Sequence, residues 1–200
     1  MSYIIVGLGN PGEEYVNTRH NTGRMVVEAL AKKLDFKDWK EDMKLKALVT
    51  EGKIGKEKVQ LVLPETFMNK SGLSVGPLVK SKKAAETLLV VHDELDIPLG
   101  TMKLSFNKSS NGHKGVESVI KAVKTEAFMR LRVGVVPALA SGKMKKPKGE
   151  EEIVDFIIGQ FKKPEMEIMK KVIKKAVAGL ETLGKSGREM ATGEINSAKV

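Results

Sequence analysis

A chain of 200 residues, 41% apolar and 30% charged, is long enough for one buried core and too short for two domains of ordinary size. With no cysteine, disulfide and thiolate chemistry are excluded, which fits a reducing cytoplasm. No apolar stretch approaches the length a bilayer requires and the N-terminus opens on a strand pattern rather than an export signal, so no membrane association is expected.

Thirty-five Lys and Arg against 25 Asp and Glu leave a formal charge of +10. That excess predicts a polyanionic partner, nucleic acid first, because neutralising phosphates releases counterions; a generally basic proteome or a solubility tail is the alternative.

The apolar run Tyr3, Ile4, Ile5 and Val6 predicts a first strand over residues 2–7. It leads into GLGNPG (7–12), which has the G-x-G-x-x-G spacing of dinucleotide-binding loops. Such a loop must open a helix, whose N-terminus holds the pyrophosphate, and must be followed by an acid at the end of a second strand. Neither condition is met, since EEYVNTRHN has no apolar helical face and Glu28 and Asp35 fall in or just after the next helix. The segment therefore reads as a tight turn that leaves Asn10 at the strand's carboxyl end.

Val27, Leu30, Ala31 and Leu34 fall at helical spacing, so a helix begins near residue 22 with Asn21 or Thr22 as its cap. Alternation at Leu45, Ala47 and Val49 and at Val59, Leu61 and Leu63, around Gly52 and Gly55, predicts a hairpin. The continuous apolar run 87–91 suits a strand buried on both faces. Residues 101–106 and 131–136 read as further strands, with a helix over 114–123 between them.

The polar, basic stretch ALASGKMKKPKGEE (138–151) reads as a mobile surface loop rather than a linker. Met169, Val172, Ile173 and Ala176 mark a C-terminal helix over about 164–183, opened by Pro164 and stopped by Gly184. The order β-α-β-β-α-β-β-α-β, then helices, implies a single α/β domain: a twisted mixed β-sheet flanked by helices.

In such sheets ligands bind outside the carboxyl ends of the strands. The segments expected there bring Asn10, Tyr15 and His20, then Phe67, Met68 and Asn69, then Asp93, then His113 and Lys114. His20 supplies a possible general base, Asp93 a carboxylate to orient it, and Asn10 and Asn69 amides that can stabilise an oxyanion, a set suited to direct hydrolysis of an acyl bond by water. His92 or His113 could be the important histidine instead, and Asp93 could cap a loop. The three histidines are dispersed without ligand spacing, so no metal is expected.

A rival reading is offered by GLSVG (72–76), which matches G-x-S-x-G and places Ser74, Asp93 and His113 in the chain order of the α/β-hydrolases. That motif needs a strand before the serine and a helix after it, whereas TFMNKS has no strand pattern and Pro77 follows closely.

Four segments, GLGNPGEEYVNTRHNTG (7–23), PETFMNKSG (64–72), HDELDIPLG (92–100) and RLRVG (130–134), resemble the signatures of bacterial-type peptidyl-tRNA hydrolases, in order and over nearly the whole chain. The resemblance implies a monomeric, cytoplasmic esterase on a phosphorylase/hydrolase-like sandwich, with no cofactor. Its reaction would be cleavage of the ester between a peptide and the terminal ribose of tRNA, recycling peptidyl-tRNA released from ribosomes. It implies His20 as catalytic base, Asp93 as its orienting partner and Asn10 as the residue that discriminates N-blocked from free aminoacyl-tRNA. Tyr15, Phe67, Met68, Asn69 and His113 become substrate contacts, Lys103 and Arg132 meet tRNA phosphates, and the loop near 138–151 with the C-terminal helix gates the crevice.

One position departs from the pattern: where the family usually reads G-H-N-G, this chain reads Gly112-His113-Lys114-Gly115. Lysine cannot accept a hydrogen bond, and a cation at a helix start opposes the dipole. Contact between Lys114 and a phosphate near the acceptor end would offset that cost; the alternative is that it points to solvent. Lys114 is also the residue that favours a non-catalytic RNA-binding protein on the same fold, against which the retention of Asn10, His20, Asn69 and Asp93 counts.

Overall fold

In the computed structural model, which describes residues 2–139 and 141–200, side-chain alternation sorts the first strand onto two cores. From β1 (Ser2–Gly7), Tyr3 and Ile5 join one apolar cluster, while Val6, and Leu8 just beyond, join another on the opposite face. The first cluster is closed by Val26, Val27 and Leu30 of α1 (Thr22–Lys33) and by Met169, Val172 and Leu180 of α6 (Lys163–Ser197). The second is closed by Val75 of α2 (Gly72–Val75), Ala85 of α3 (Lys82–Ala85) and Val116, Val119 and Val123 of α4 (Lys114–Val123).

Between these layers lie β2 (Lys40–Asp42), β3 (Ala47–Ile54), β4 (Glu57–Pro64), β1, β5 (Leu88–Pro98), β7 (Met129–Val136) and β6 (Met102–Phe106), in that spatial order. β4, β1, β5 and β7 are mutually parallel, and β3 and β6 run against their neighbours. The expected mixed sheet flanked by helices is what forms. A nine-residue helix on the rim, α5 (Glu150–Ile158), precedes α6.

Several local expectations are corrected. The apolar run 87–91 supplies only the first part of β5, which continues through the polar His92, Asp93 and Glu94 to Pro98 because the ladder to β7 extends over Leu89 to Glu94 and resumes at Pro98. Asn21 takes the expected N-cap position of α1 but makes no capping bond with its side chain: its amide turns instead to the backbone of Asn10, and the Thr22 hydroxyl donates to the Arg19 carbonyl. Gly184 does not stop the last helix. A Cβ there would lie 2.5 Å from the Ile54 side chain, so this glycine admits β3; the break comes at Gly187 (φ 84°, ψ 178°), after which helical turns resume to Ser197. The resumed segment folds back, packing Ile195 against the bare edge of Gly179.

β6 is antiparallel to β7, so its own carboxyl end lies at the edge opposite the one expected. Residues 107–113 return the chain to the other edge, and His113 arrives there as the N-cap of α4.

The glycines of GLGNPG have a packing reason. A Cβ on Gly7 would sit 2.6 Å from the Gly23 carbonyl oxygen, and one on Gly23 would sit 2.2 Å from that of Val91 and 2.6 Å from that of Leu8. The N-terminus of α1 is thus pressed onto β1 and β5, backbone against backbone. Gly23→Ala is expected to cost about 3 kcal/mol, at the upper end for overpacking against unyielding atoms. Gly193→Ala, in a helical stretch with nothing within 4 Å, should gain up to about 1 kcal/mol. Urea unfolding of both variants checks the pair, and equal effects would contradict the close approach.

Candidate active site

At the carboxyl edge of the parallel strands, three elements meet around one carboxylate. Asp93 of β5 is buried, and its Oδ1 accepts from His20 Nδ1 at 2.9 Å and from His113 Nε2 at 2.9 Å. His20 stands on a 3-10 turn (Arg19–Asn21) just before α1. His113 caps α4, and its Nδ1 accepts the Val116 N–H at 3.3 Å. Since a backbone N–H can only donate, that contact fixes the His113 tautomer with its proton on Nε2, facing Asp93.

Burial pushes the Asp93 carboxyl up, but the charge and hydrogen bonds of His20 and His113 outweigh it and hold the group well below the ordinary carboxylate range. An ionised Asp93 keeps His20 protonated at Nδ1, leaving Nε2 as the ring atom able to take a proton.

His92 has a different place. It is fully buried, donates from Nδ1 to the Asp93 carbonyl at 2.7 Å, and packs edge-on against His113 with ring centroids 4.7 Å apart. It cannot meet a substrate. Burial, and then the neighbouring His113, push its imidazole well below the ordinary 6.5, so it is neutral. Histidines dispersed along the sequence therefore gather in space, and ligand atoms of His20, Asp93 and His113 lie within 4.8 Å of one another. The two imidazole nitrogens in this group are already committed to Asp93 Oδ1.

Asn10 is locked from three sides. Its N–H donates to Asn21 Oδ1 at 2.8 Å, its carbonyl accepts from Asn21 Nδ2 at 2.9 Å, and its Oδ1 accepts the Met68 N–H at 2.8 Å. Its Nδ2 is the group left to donate to a ligand. Asn21, expected as a helix cap, is thus a positioning residue next to His20; only its adjacency to the histidine signalled it. Met68 is buried, with its sulfur against the bare Cα of Gly115, so the segment after β4 is wedged onto α4.

Two concavities open here. A crevice of about 460 Å³ has His20, Asp93, His113 and Lys114 on its polar side and Ile153, Val154 and Ile157 of α5 on the other. A smaller pocket of about 260 Å³ beside it is lined by Asn10, Gly12, Val16 and Arg24. A wider groove of about 870 Å³ along Tyr3, Lys53, Lys58 and Thr87 lies at the opposite end of the strands, away from every histidine.

The other expected site residues sit around this rim with unequal roles. Phe67 and Asn69 are exposed on the turn after β4, and Tyr15 is half-buried at the end of the turn Glu13–Tyr15. Lys103 is exposed on β6, directly across from Arg132 on β7. Arg132 is not a free cation, because its Nε donates to Glu94 Oε2 at 2.8 Å. Asn111, which sequence reasoning passed over, donates to Glu94 Oε1 at 3.0 Å and to Asp96 Oδ2 at 2.5 Å. Lys146, from the basic 138–151 segment, also holds Asp96. The Asn111 and Lys146 contacts draw the Asp96 carboxyl down. Residue 140 of that segment lies outside the described residues.

The sequence model of the family described as peptidyl-tRNA hydrolase matches residues 4–200. The chain belongs to the peptidyl-tRNA hydrolase family. It is 42% identical to peptidyl-tRNA hydrolase of Aquifex aeolicus over 87% of this chain and 85% of that protein. It is 38% identical to that of Alkaliphilus oremlandii over 97% and 99%. The crystal structure of peptidyl-tRNA hydrolase from Acinetobacter baumannii superimposes with a TM-score of 0.87 at 34% identity, covering 99% of this chain and 96% of that one. The family expected from the four sequence segments is the one found. Among the described residues no helix is long and apolar enough to cross a membrane.

The buried histidine sets a pH dependence of stability. His92 is neutral when folded but takes a proton when unfolded once the pH drops below 6.5. Its contribution is therefore fully present above that value and is lost as the pH falls towards its depressed folded-state pKa. Between about pH 6.5 and 4.5, before Asp93 contributes, unfolding free energy should decline with a slope of up to about 1.4 kcal/mol per pH unit from this one proton. Urea unfolding across that range should show a shallower slope in His92→Asn, whose amide can still reach the Asp93 carbonyl.

Proposed function

We propose that this family member hydrolyses the ester joining a peptide, or an N-blocked aminoacyl group, to the terminal ribose of tRNA, using a water that His20 deprotonates. The observation that carries the reading is the His20 Nδ1 to Asp93 Oδ1 contact at 2.9 Å, opening on a crevice lined by Lys114, with Asn10 in the smaller pocket. Water loses a proton to His20 Nε2 as its oxygen attacks the ester carbonyl carbon. The negative charge on the carbonyl oxygen is met by an amide N–H of Asn10, and Asp93 stabilises the imidazolium. Collapse breaks the bond to the ribose oxygen, which takes the proton back from His20. His113 contributes by sharing Asp93 Oδ1, so the carboxylate is held by two donors and its orientation does not depend on the base alone.

The +10 charge supports a tRNA substrate, and the exposed Lys103 and Lys114 are cations on the same molecule that can meet phosphates. Lys114 opens α4 on the crevice, where a cation works against the helix dipole unless an anion arrives. In this reading the protein acts as a cytoplasmic monomer, recycling peptidyl-tRNA released from ribosomes.

The serine-hydrolase alternative is set aside by the geometry of its nucleophile. Ser74 is buried inside the four-residue helix α2 and its hydroxyl donates to the Lys46 carbonyl at 3.0 Å. The non-catalytic alternative is opposed by the intact arrangement of His20, Asp93 and Asn10.

Release of peptide from N-blocked aminoacyl-tRNA is the test. His20→Ala should lower kcat by about a hundred- to ten-thousand-fold, whereas Ser74→Ala should retain turnover. Binding without turnover by the unmodified protein would favour the RNA-binding module instead. For Lys114→Asn, the plot of log affinity for tRNA against log salt should become shallower by about one phosphate contact; an unchanged slope would place Lys114 in solvent.

A further inference from the structure

We infer that Arg19 is a positioning residue that sets KM by pinning α5, the apolar wall of the crevice, to the turn that carries His20. The inference rests on the reaction proposed above. It starts from an oddity of α5: none of its nine residues is fully buried, and only the half-buried Phe156 packs against the first apolar cluster, yet Ile153, Val154 and Ile157 face the crevice. One half-buried ring is little apolar packing for a wall, so polar contacts must help to keep it in place.

The fastening is at its carboxyl end. A helix leaves its last carbonyls without intrahelical partners, and a cation there also favours the dipole. α5 carries no basic residue in its own last turn. Arg19 supplies one from across the chain: its Nη1 lies 3.2 Å from the Phe156 carbonyl oxygen, 3.1 Å from that of Gly159 and 3.1 Å from that of Gln160. Its Nη2 donates to Glu165 Oε2 at 2.7 Å, and that same oxygen accepts the Lys162 N–H at the start of α6. The guanidinium carbon also stands 4.4 Å from the Phe156 ring centroid and 5.3 Å from that of Phe161. Backbone pairing completes the joint, with Arg19 N–H donating to the Gly159 carbonyl and Phe161 N–H to that of Asn17.

Arg19 is buried, and its guanidinium meets carbonyls, a carboxylate and rings of the α5–α6 joint. It therefore reaches substrate only through α5. His20, one residue on, is secured separately, because the Thr22 hydroxyl bonds the Arg19 carbonyl and the Arg24 N–H bonds that of Leu8. Loosening the Arg19 side chain should move the wall and leave the base in place. Lysine keeps the charge but not the planar fork that serves both carbonyls and Glu165.

The test combines steady-state kinetics with amide hydrogen exchange on the full chain. Arg19→Gln should raise KM for N-blocked aminoacyl-tRNA about ten-fold with kcat within about two-fold, and should speed exchange over residues 153–159 but not over β5 or α1. Arg19→Lys should fall between. Should Arg19→Gln fold poorly, Glu165→Gln frees only Nη2 and should raise KM by about two- to three-fold. Unchanged exchange in α5, or faster exchange with unchanged KM, would overturn the assignment, as would loss of kcat alone in step with a lower folded fraction. If the unmodified protein binds tRNA but does not turn over, the proposed reaction fails, while exchange in α5 still reads the clamp.

Discussion

A carboxylate buried at the end of a central strand is tolerable only if its charge is met, and meeting the charge of Asp93 organises this molecule. Two imidazoles converge on a single oxygen, one from the turn before α1 and the other from the cap of α4. These elements lie on opposite faces of the sheet and belong to different apolar clusters. The pair of contacts therefore ties both layers to the strand that bears the acid. Removing either imidazole would leave a buried charge short of a donor, which is costlier than losing an ordinary surface pair.

The same arrangement divides the labour among three histidines by environment. His92 is enclosed and kept neutral, so it supports the Asp93 backbone without competing for protons. His113 is fixed as a donor by the amide of Val116, and of the two histidines that line the crevice His20 is the one whose second ring nitrogen is left able to accept. Residues of one type thus differ in what they can do, one as scaffold, one as brace and one as a candidate base, because burial and partners differ. The polar side of the crevice is built by this network, whereas its apolar side is a helix that gives the core only the half-buried Phe156 and meets the Arg19 guanidinium at its carboxyl end.

Much of the fold was legible because most elements carry their own periodicity. α4 was readable from its apolar spacing and β1 from its apolar run, and the hairpin of β3 and β4 from alternation around Gly55. β5 was legible only as far as Val91, since the apolar run is broken there by His92, Asp93 and Glu94, which are held extended by the ladder to β7. Gly184 looked like a stop because glycine ends helices in general, but here its missing side chain makes room for Ile54. His20, Asp93 and Asn10 were legible as a chemical set, while Asn21 and Asn111 were not, because an amide announces nothing until its partners are near.

By itself the sequence determined the α/β class, the charge that calls for a polyanion and the family, and it offered His20 with Asp93 as candidate base and carboxylate, since these follow from local pattern, motif or residue chemistry. Only the tertiary structure decided that His113 shares the oxygen used by His20, that His92 is sealed away, and that Ser74 is walled into a short helix. It also decided that GLGNPG is a close-packing device and not a phosphate cradle, since the carbonyls that exclude a Cβ at Gly23 come from Leu8 and Val91. The physical reason is the same throughout. Propensity and periodicity act between neighbours in the chain, whereas tautomer, burial and steric exclusion depend on groups that folding brings from tens of residues away.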